Sequence, residues 1–243
     1  MKILHHIHHL PSKKGIGNKA ASLHKMQKLG LLVPTSYVIP KSVWEAYAVD
    51  PDKVRELISQ ELDQIAQKEC SWAIRSSGEL EDLQDHSFAG QFATFLEVKG
   101  SRAMLEAIEK VWASADQVVE GPYMKESLRK KGPSGMSVII QEMVGSQWSG
   151  VAFSINPVTG RSEFVFEAVK GSGVQLVQDG VRPFRWTWFQ GGWDADSVPD
   201  EEIRTVLETL AEGLKKLDKA SGGPWMWNGP LMGTSSSTCN AAR

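Results

Sequence analysis

The sequence has few of the features that would tie it to an oxidising compartment or to a membrane. It contains two cysteines, Cys70 and Cys239, which are too few for a disulfide framework and favour a reducing cytosol. No apolar run approaches the ~18 residues that a membrane-spanning helix needs. The first residues, MKILHHIHHLPSKKG, contain no apolar core of signal-peptide length. We therefore expect a cytoplasmic protein without a membrane partner.

Positive charge is not in excess either. The 27 lysines and arginines are outnumbered by 29 aspartates and glutamates, so the formal net charge is -2. This balance excludes a broad basic surface, and nucleic acid is not expected as a partner. The 243 residues, 41% hydrophobic and 23% charged, have ordinary globular composition and suffice for one large domain or two lobes.

Hydrophobic periodicity predicts both helices and strands along the chain. Apolar residues three or four positions apart predict helices at Asn18–Leu29, Pro51–Gln67, Arg102–Ala113 and Glu201–Leu217. Short apolar or alternating runs predict strands at 35–39, Ser71–Arg75, Phe92–Val98, Ser137–Val144, Trp148–Ile155, Glu163–Val169 and Phe184–Phe189. A segment rich in Lys, Pro and Gly, Gly121–Gly135, is a plausible junction between two lobes.

Two segments place a cation beside small residues. Gly15–Lys19 is a glycine-rich turn that opens a helix, where backbone N–H groups and the positive helix end suit a phosphate. Arg75 ends a predicted strand and is followed by Ser-Ser-Gly, a setting that suits an oxyanion. The alternatives are an ordinary loop with a solvated Lys19, and an arginine neutralised by the acidic residues between 79 and 85.

Two further segments have features of a ligand site. The small residues of Ser87–Thr94 would let a hairpin tip lie close over a ligand, although a plain hairpin with one turn glycine explains them equally. Gln141–Val144 ends an apolar strand, whose backbone groups could bind an adenine edge, as those of many strands could. Each signal is weak alone, so the order and spacing of all four carry the information.

Taken in order, the segments resemble the N-terminal nucleotide-binding domain of the pyruvate phosphate dikinase and phosphoenolpyruvate synthase family. Rifampicin phosphotransferases and glucan, water dikinases share that domain. The matching runs, between residues 15 and 224, are GIGNKAASL, GLLVP, IRSSGELEDLQDHSFAGQFATFLEV, IIQEMVGSQWSGVAFSINPVTG and FEAVKGSG. The resemblance implies an α+β fold of the ATP-grasp type, with residues 1–135 and 136–224 forming two lobes that clamp a nucleotide.

The resemblance also implies a function and a set of site residues. It implies that ATP and Mg²⁺ are the cofactors, and that phosphoryl passes from ATP toward a histidine on a separate domain, in a longer chain or separately encoded. Lys19 and Arg75 would be the catalytic cations on the ATP phosphates. The remaining contacts are assigned by position to Ala89, Gly90 and Thr94 over the phosphates, Gln141, Glu142 and Val144 around adenine, and Glu167 near the ribose.

Residues 225–243 depart from the family pattern. In place of the DxEWAxDG and LQxRP segments, whose Glu and Gln bind magnesium in the family, this chain has WMWNGPLMGTSSSTCNAAR. Back-translation from the third base of the Pro224 codon permits Asp-Val-Glu-Trp-Ala in a second frame. We therefore interpret 225–243 as frame-shifted, with a natural divergent tail as the alternative. We expect this tail to form no closing strand and to leave the C-terminal lobe frayed.

Other functions remain open at this point. The chain could be the ATP domain of a rifampicin phosphotransferase-like enzyme, because the resemblance does not separate phosphoryl acceptors. It could also be a non-catalytic ATP-binding module, because the metal ligands are missing. The run HHIHH at 5–9 could bind zinc or nickel through clustered imidazoles. Without a fixed spacing on a helix or strand we favour a surface cluster and assign no metal ligands.

Overall fold

The chain divides into two compact units, Met1–Met143 and Val144–Arg243. The computed structural model describes residues 2–10, 14–67, 70–78, 93–120, 135–171, 182–194, 198–221 and 226–231, with backbone alone at 116–120, 221 and 226–231. Both units combine helices with an antiparallel sheet, so the α+β class is confirmed. Within the described residues, no helix has the length and apolar character that crossing a bilayer requires.

The first unit is built on a five-stranded antiparallel sheet. Its strands are β1 (His5–His6), β2 (Ser36–Ile39), β3 (Trp72–Ser77), β4 (Thr94–Val98) and β5 (Ser137–Glu142), in the order β1-β2-β5-β3-β4. Its helices are α1 (Gly17–Lys28), α2 (Lys41–Val49), α3 (Pro51–Ile65) and α4 (Ser101–Glu120), with a short 3-10 turn at Ile7–His9. Strand β5 pairs with both β2 and β3 inside this sheet, and the division into lobes at 135/136 stays a prediction.

One face of this sheet forms the main core of the unit. Trp72, Ile74 and Ile140 point from it into a cluster with α2, α3 and α4. Helix α3 begins at Pro51 because the Asp50 carboxylate accepts the Lys53 N–H at 3.2 Å. The apolar stripe of α3 is fully or almost fully buried at Val54, Ile58, Leu62 and Ile65. Each such side chain contributes about 1.5–3 kcal/mol of burial free energy, so this face is closed to ligands.

The other face of the sheet carries α1. Ile16 and Ala20 of this helix region pack on Val38 of β2 and Ile139 of β5 in a smaller apolar cluster. Strand alternation places these two strand residues on the face opposite Ile74 and Ile140. The sheet is thus buried on one face by three helices, and α1 packs on the other.

Helix α1 is fixed to the end of β3 by a close backbone approach. Gly17 has φ +72°, and a Cβ atom there would lie 2.0 Å from the carbonyl oxygen of Ser77. The Ser77 hydroxyl donates to the Ile16 carbonyl at 2.8 Å and accepts the Ala20 N–H at 3.1 Å. Ile16, the residue before the helix, provides no side-chain cap. Ser77, 57 positions from Ala20, therefore supplies the N-terminal cap of α1.

The second unit has a similar arrangement. Its antiparallel sheet, in the order β10-β6-β7-β8-β9, consists of β6 (Trp148–Phe153), β7 (Phe164–Lys170), β8 (Phe184–Phe189), β9 (Gly192–Trp193) and β10 (Met226–Leu231). Its long helix is α5 (Glu201–Ser221). The apolar stripe of α5 is buried at Ile203, Leu207, Ala211, Leu214 and Leu217. This period confirms the helix that the sequence predicts there.

The first part of the tail forms a strand, so the expectation of a tail without one is wrong for these residues. Strand β10 pairs with β6 over six positions, from Met226 opposite Phe153 to Leu231 opposite Trp148. Ladder hydrogen bonds use backbone groups, so an open strand edge can accept a segment whose side chains follow no strand pattern. Residues 232–243 lie outside the described part of the chain, and the frame-shift interpretation stays a prediction.

The connection between β6 and β7 is organised by a buried asparagine. The Asn156 Oδ1 atom accepts the N–H groups of Val158 at 2.9 Å and Thr159 at 3.2 Å. Its Nδ2 atom donates to Glu163 Oε1 at 2.5 Å. An asparagine suits the turn here because its amide can donate to the carboxylate of Glu163.

The close packing of α1 predicts that Gly17→Ala is far more destabilising than Gly30→Ala. Both glycines have positive φ, but a Cβ at Gly30 meets no atom within 4 Å. Gly30→Ala should therefore lower the free energy of unfolding by about 1 kcal/mol from backbone strain alone. Gly17→Ala adds a clash with the backbone of Ser77 and should cost at least about 3 kcal/mol. Urea unfolding of both variants measures the difference, and equal losses would contradict the close approach.

The asparagine turn predicts a pH-dependent defect in Asn156→Asp. The variant places two carboxylates in contact, which raises the pKa of the pair above the unfolded value of about 4.3. Stability should therefore fall by about 1–3 kcal/mol at neutral pH and recover as pH falls and the pair takes up a proton. Thermal unfolding of the variant and the wild-type chain, at neutral pH and at a pH below the raised pKa, checks this. The double variant Asn156→Asp/Glu163→Gln should restore stability at neutral pH, and a loss independent of pH would contradict the carboxylate contact.

Candidate functional site

The α1 face of the first sheet carries a row of polar side chains beside the apolar cluster. Arg75 on β3 lies opposite Thr94 on β4 and opposite Ile139 on β5. Gln141 is two residues beyond Ile139 on the same strand and lies opposite Ser36 on β2. Because residues in register and two apart share a face, four polar side chains from four strands lie on the face where α1 packs.

Three of these polar groups form a continuous chain of hydrogen bonds. The guanidinium of Arg75 donates from Nη1 to Gln141 Oε1 at 3.3 Å. Gln141 Nε2 donates to the Ser36 hydroxyl at 3.1 Å, and this hydroxyl donates to the Pro34 carbonyl at 2.7 Å. Ser36 is fully buried, whereas Arg75 and Gln141 are half-buried. Two residues assigned to different parts of a nucleotide, Arg75 and Gln141, are therefore in direct contact.

Lys19 approaches the same region from α1. It is half-buried in the first turn of the helix, directly before Ala20, whose N–H group binds the Ser77 hydroxyl. Ser77 lies two residues after Arg75, on the same face of β3, and two strand residues span about 7 Å. The first turn of α1 thus lies close to Arg75 along the sheet. The helix turn that carries Lys19 therefore begins beside Ser77, two residues beyond Arg75 on β3.

A small pocket opens at the start of α1. Its lining residues are Gly15, Gly17, Lys41, Ser77, Gly78, Gly135 and Ser137. The backbone N–H of Lys41 donates to the Gly15 carbonyl at 2.8 Å, which fixes the glycine turn to the start of α2. The Ser137 hydroxyl donates to the carbonyl of Ser77. A helix N-terminus, glycine backbone and the single lysine of the lining, Lys41, are groups that attract an anion.

The remaining predicted residues of the first unit differ in placement. Thr94 is exposed at the start of β4. Glu142 is opposite Trp72, so alternation places its side chain on the face away from Arg75, and its N–H donates to the Thr35 carbonyl at 2.8 Å. Ala89 and Gly90 lie outside the described residues.

Two predicted residues belong to the second unit. Val144 is its first residue and is half-buried. Glu167 lies in the middle of β7, where its Oε1 atom accepts from Arg185 Nη1 of β8 at 2.7 Å. Their side chains are 28% and 43% exposed, so water screens this ion pair and its contribution to stability is small. A bound polar ligand could exchange with either partner at little cost.

The described residues contain no group of three or more His, Cys, Asp or Glu side chains that could hold a metal ion. The histidines of the HHIHH run pack on one another instead, and the rings of His6 and His8 stack at 4.9 Å. Burial lowers the pKa of His5, with Lys2 adding to the effect. The zinc or nickel alternative for this run therefore has no support in the geometry.

Sequence reasoning missed three residues near the predicted ones. Ser36 is the first residue of the short strand β2 and has no pattern that marks it. Lys41 follows Pro40 at the start of an unpredicted helix, and a lysine directly after a strand and a proline was a usable signal. Arg185 alternates with aromatic residues in the run FRWTWF, and this exposed cation in an otherwise aromatic strand could have been noted.

Comparisons with known proteins identify the family of this chain. The family model for the pyruvate phosphate dikinase AMP/ATP-binding domain matches residues 48–221. Phosphoenolpyruvate synthase of Aeropyrum pernix is 29% identical over 216 residues, covering 70% of this chain and 26% of the relative. The uncharacterized phosphotransferase YvkC of Bacillus subtilis is 28% identical over 219 residues, covering 82% of this chain and 26% of the relative. A probable phosphoenolpyruvate synthase of Archaeoglobus fulgidus is 35% identical over 149 residues, covering 61% of this chain and 18% of the relative.

This chain spans about a quarter or less of the length of these relatives. The family match, in contrast, covers more than half of the chain and includes β3, β4 and β5, the strands that carry Arg75, Thr94 and Gln141. The chain therefore belongs to the pyruvate phosphate dikinase AMP/ATP-binding domain family.

Proposed function

We propose that the chain binds ATP on the α1 face of its first sheet, as the nucleotide-binding part of a dikinase-type phosphotransferase. The observation that carries this proposal is the contact of Arg75 with Gln141 beside the N-terminus of α1. A triphosphate carries several negative charges, and a helix N-terminus with two nearby cations matches that charge in a partly buried place. The match to an AMP/ATP-binding domain supports adenine as the base.

Each site residue has a proposed role. Lys19 and Arg75 bind phosphate oxygens through charge-assisted hydrogen bonds. Thr94, with backbone groups of Ala89 and Gly90, covers the phosphates. Gln141 lies at the adenine end with Val144, and Glu142 contributes there through its backbone, since its side chain is on the other face. Glu167 binds on the ribose side, where a polar group of the ligand can replace its weak ion pair with Arg185.

The ATP-grasp arrangement, in which two lobes clamp the nucleotide, is part of the proposal. The division of the chain into two compact α+β units, each with its own sheet, supports it. A histidine on another domain is the proposed acceptor of the phosphoryl group, and the cytoplasm is the proposed compartment. The names of the relatives, phosphoenolpyruvate synthase in two of three, favour phosphoenolpyruvate synthesis over antibiotic phosphorylation as the overall reaction.

Magnesium is proposed only as a companion of the ATP phosphates. The described residues offer no set of carboxylate ligands for it. Mg²⁺ commonly keeps several waters and binds through substrate phosphates with one or two carboxylates. The part of the chain that the structure describes therefore does not fit a protein-held metal, and no catalytic step is assigned to one.

The proposed phosphate contacts predict a selective loss of ATP affinity in Lys19→Met and Arg75→Met. Each charge-assisted contact is worth about 1.5–3 kcal/mol, so each variant should bind ATP about tenfold to a hundredfold more weakly. Adenosine affinity should change little, because adenosine has no phosphate. Isothermal titration calorimetry measures both ligands. Lys53→Met, on an exposed position of α3, is the matched control, and equal losses for ATP and adenosine would contradict the assignment.

The chain by itself should bind ATP without turning it over. Residues 225–243 contain neither of the family segments whose Glu and Gln bind magnesium, and phosphoryl transfer depends on metal and charge placed around the transferred group. Release of phosphate from radiolabelled ATP should stay at the level of the Arg75→Met variant. Turnover clearly above that level would show that other residues complete the site.

A further inference from the structure

The hydrogen bonds that link Arg75, Gln141, Ser36 and Pro34 have only one consistent direction. A guanidinium can only donate, so Arg75 must face the amide oxygen of Gln141. At the other end, a proline carbonyl can only accept, so it takes the single proton of the Ser36 hydroxyl. Ser36 must then accept from Gln141, which places the NH₂ group of the glutamine toward it. Both ends of the chain therefore fix the orientation of the Gln141 amide.

This series of hydrogen bonds is protected from water at its Ser36 end. Ser36 is 0% exposed, and its strand is paired on both sides, with β1 and with β5. Gln141 and Arg75, further along the chain, are half-buried. The Ser36 hydroxyl donates its proton to the Pro34 carbonyl, so toward Gln141 it can only accept. If the Gln141 amide were flipped, its carbonyl oxygen would face the Ser36 oxygen with no proton between them. The flip would also set an NH₂ group against the guanidinium.

We infer that Ser36 is a positioning residue for nucleotide binding, acting on Arg75 through the amide of Gln141. Ser36 keeps the Gln141 carbonyl turned toward Arg75, and this carbonyl holds the guanidinium over the α1 face of the sheet. A guanidinium held in place loses less conformational freedom when it binds phosphate oxygens. The inference deepens the proposed function and rests on it for the ligand. The hydrogen-bond relay, by which we mean the bonds from Pro34 through Ser36 and Gln141 to Arg75, can be tested without nucleotide.

The relay is tested first in the nucleotide-free full chain by NMR. The side-chain NH₂ resonances of Gln141, assigned with Gln141→Leu, should exchange with solvent about tenfold more slowly than those of an exposed glutamine such as Gln60. Ser36→Ala should remove this protection. Ser36→Thr, which keeps the hydroxyl, should retain it to within about threefold. Unchanged protection in Ser36→Ala would overturn the relay.

Coupling to ligand binding is then measured by calorimetry with ATP and adenosine. Ser36→Ala should weaken ATP binding about threefold to tenfold, and Ser36→Thr should restore it. In an Arg75→Met background, Ser36→Ala should cause no further loss, because the residue on which it acts is gone. Independent, additive losses in the double variant would overturn the positioning role and leave Ser36 a structural residue.

The two measurements separate the inference from the proposed function. If the wild-type chain does not bind ATP, the proposed function fails and with it the positioning role, while the NMR exchange rates still decide whether the relay exists. If the wild-type chain binds ATP and the double variant is additive, the proposed function stands and the positioning role fails.

Discussion

The close approach of α1 to the end of β3 is the constraint on which the rest of the first unit depends. Gly17 leaves no room for a Cβ against the Ser77 carbonyl, and the Ser77 hydroxyl caps the helix that begins there. This contact sets the first turn of α1, with Lys19, beside the strand that carries Arg75. A side chain at position 17 or loss of the Ser77 hydroxyl would shift the start of α1, and Lys19 with it, relative to Arg75 in the sheet.

Strand alternation then gives the two faces of the sheet different roles. One face is occupied by α2, α3 and α4 and supplies the buried apolar area that holds the unit together. The other face is only partly covered by α1, and the polar chain from Ser36 to Arg75 lies there. Rigid packing on the first face makes the second a firm support on which polar groups keep fixed orientations.

Local patterns in the sequence were enough to predict most helices and strands, because burial on one face imposes a period of 3.6 or 2. Helix α2 was missed because its nine residues, KSVWEAYAV, mix aromatic and β-branched residues of low helix propensity. Strand β10 was missed because its sequence, MWNGPL, has no strand period, whereas its place in the sheet is given by backbone pairing with β6. The contact of Arg75 with Gln141 joins residues 66 positions apart, so only the strand register could reveal it.

The central claim is that ATP phosphates bind on the α1 face of the first sheet. Chemical-shift mapping of the ¹⁵N-labelled chain during titration with ATP tests it most directly. The account predicts the largest changes at Lys19, Ser77 and Gln141, and small changes in α3, which packs on the other face. Changes centred on α3, or none in residues 1–143, would contradict the account.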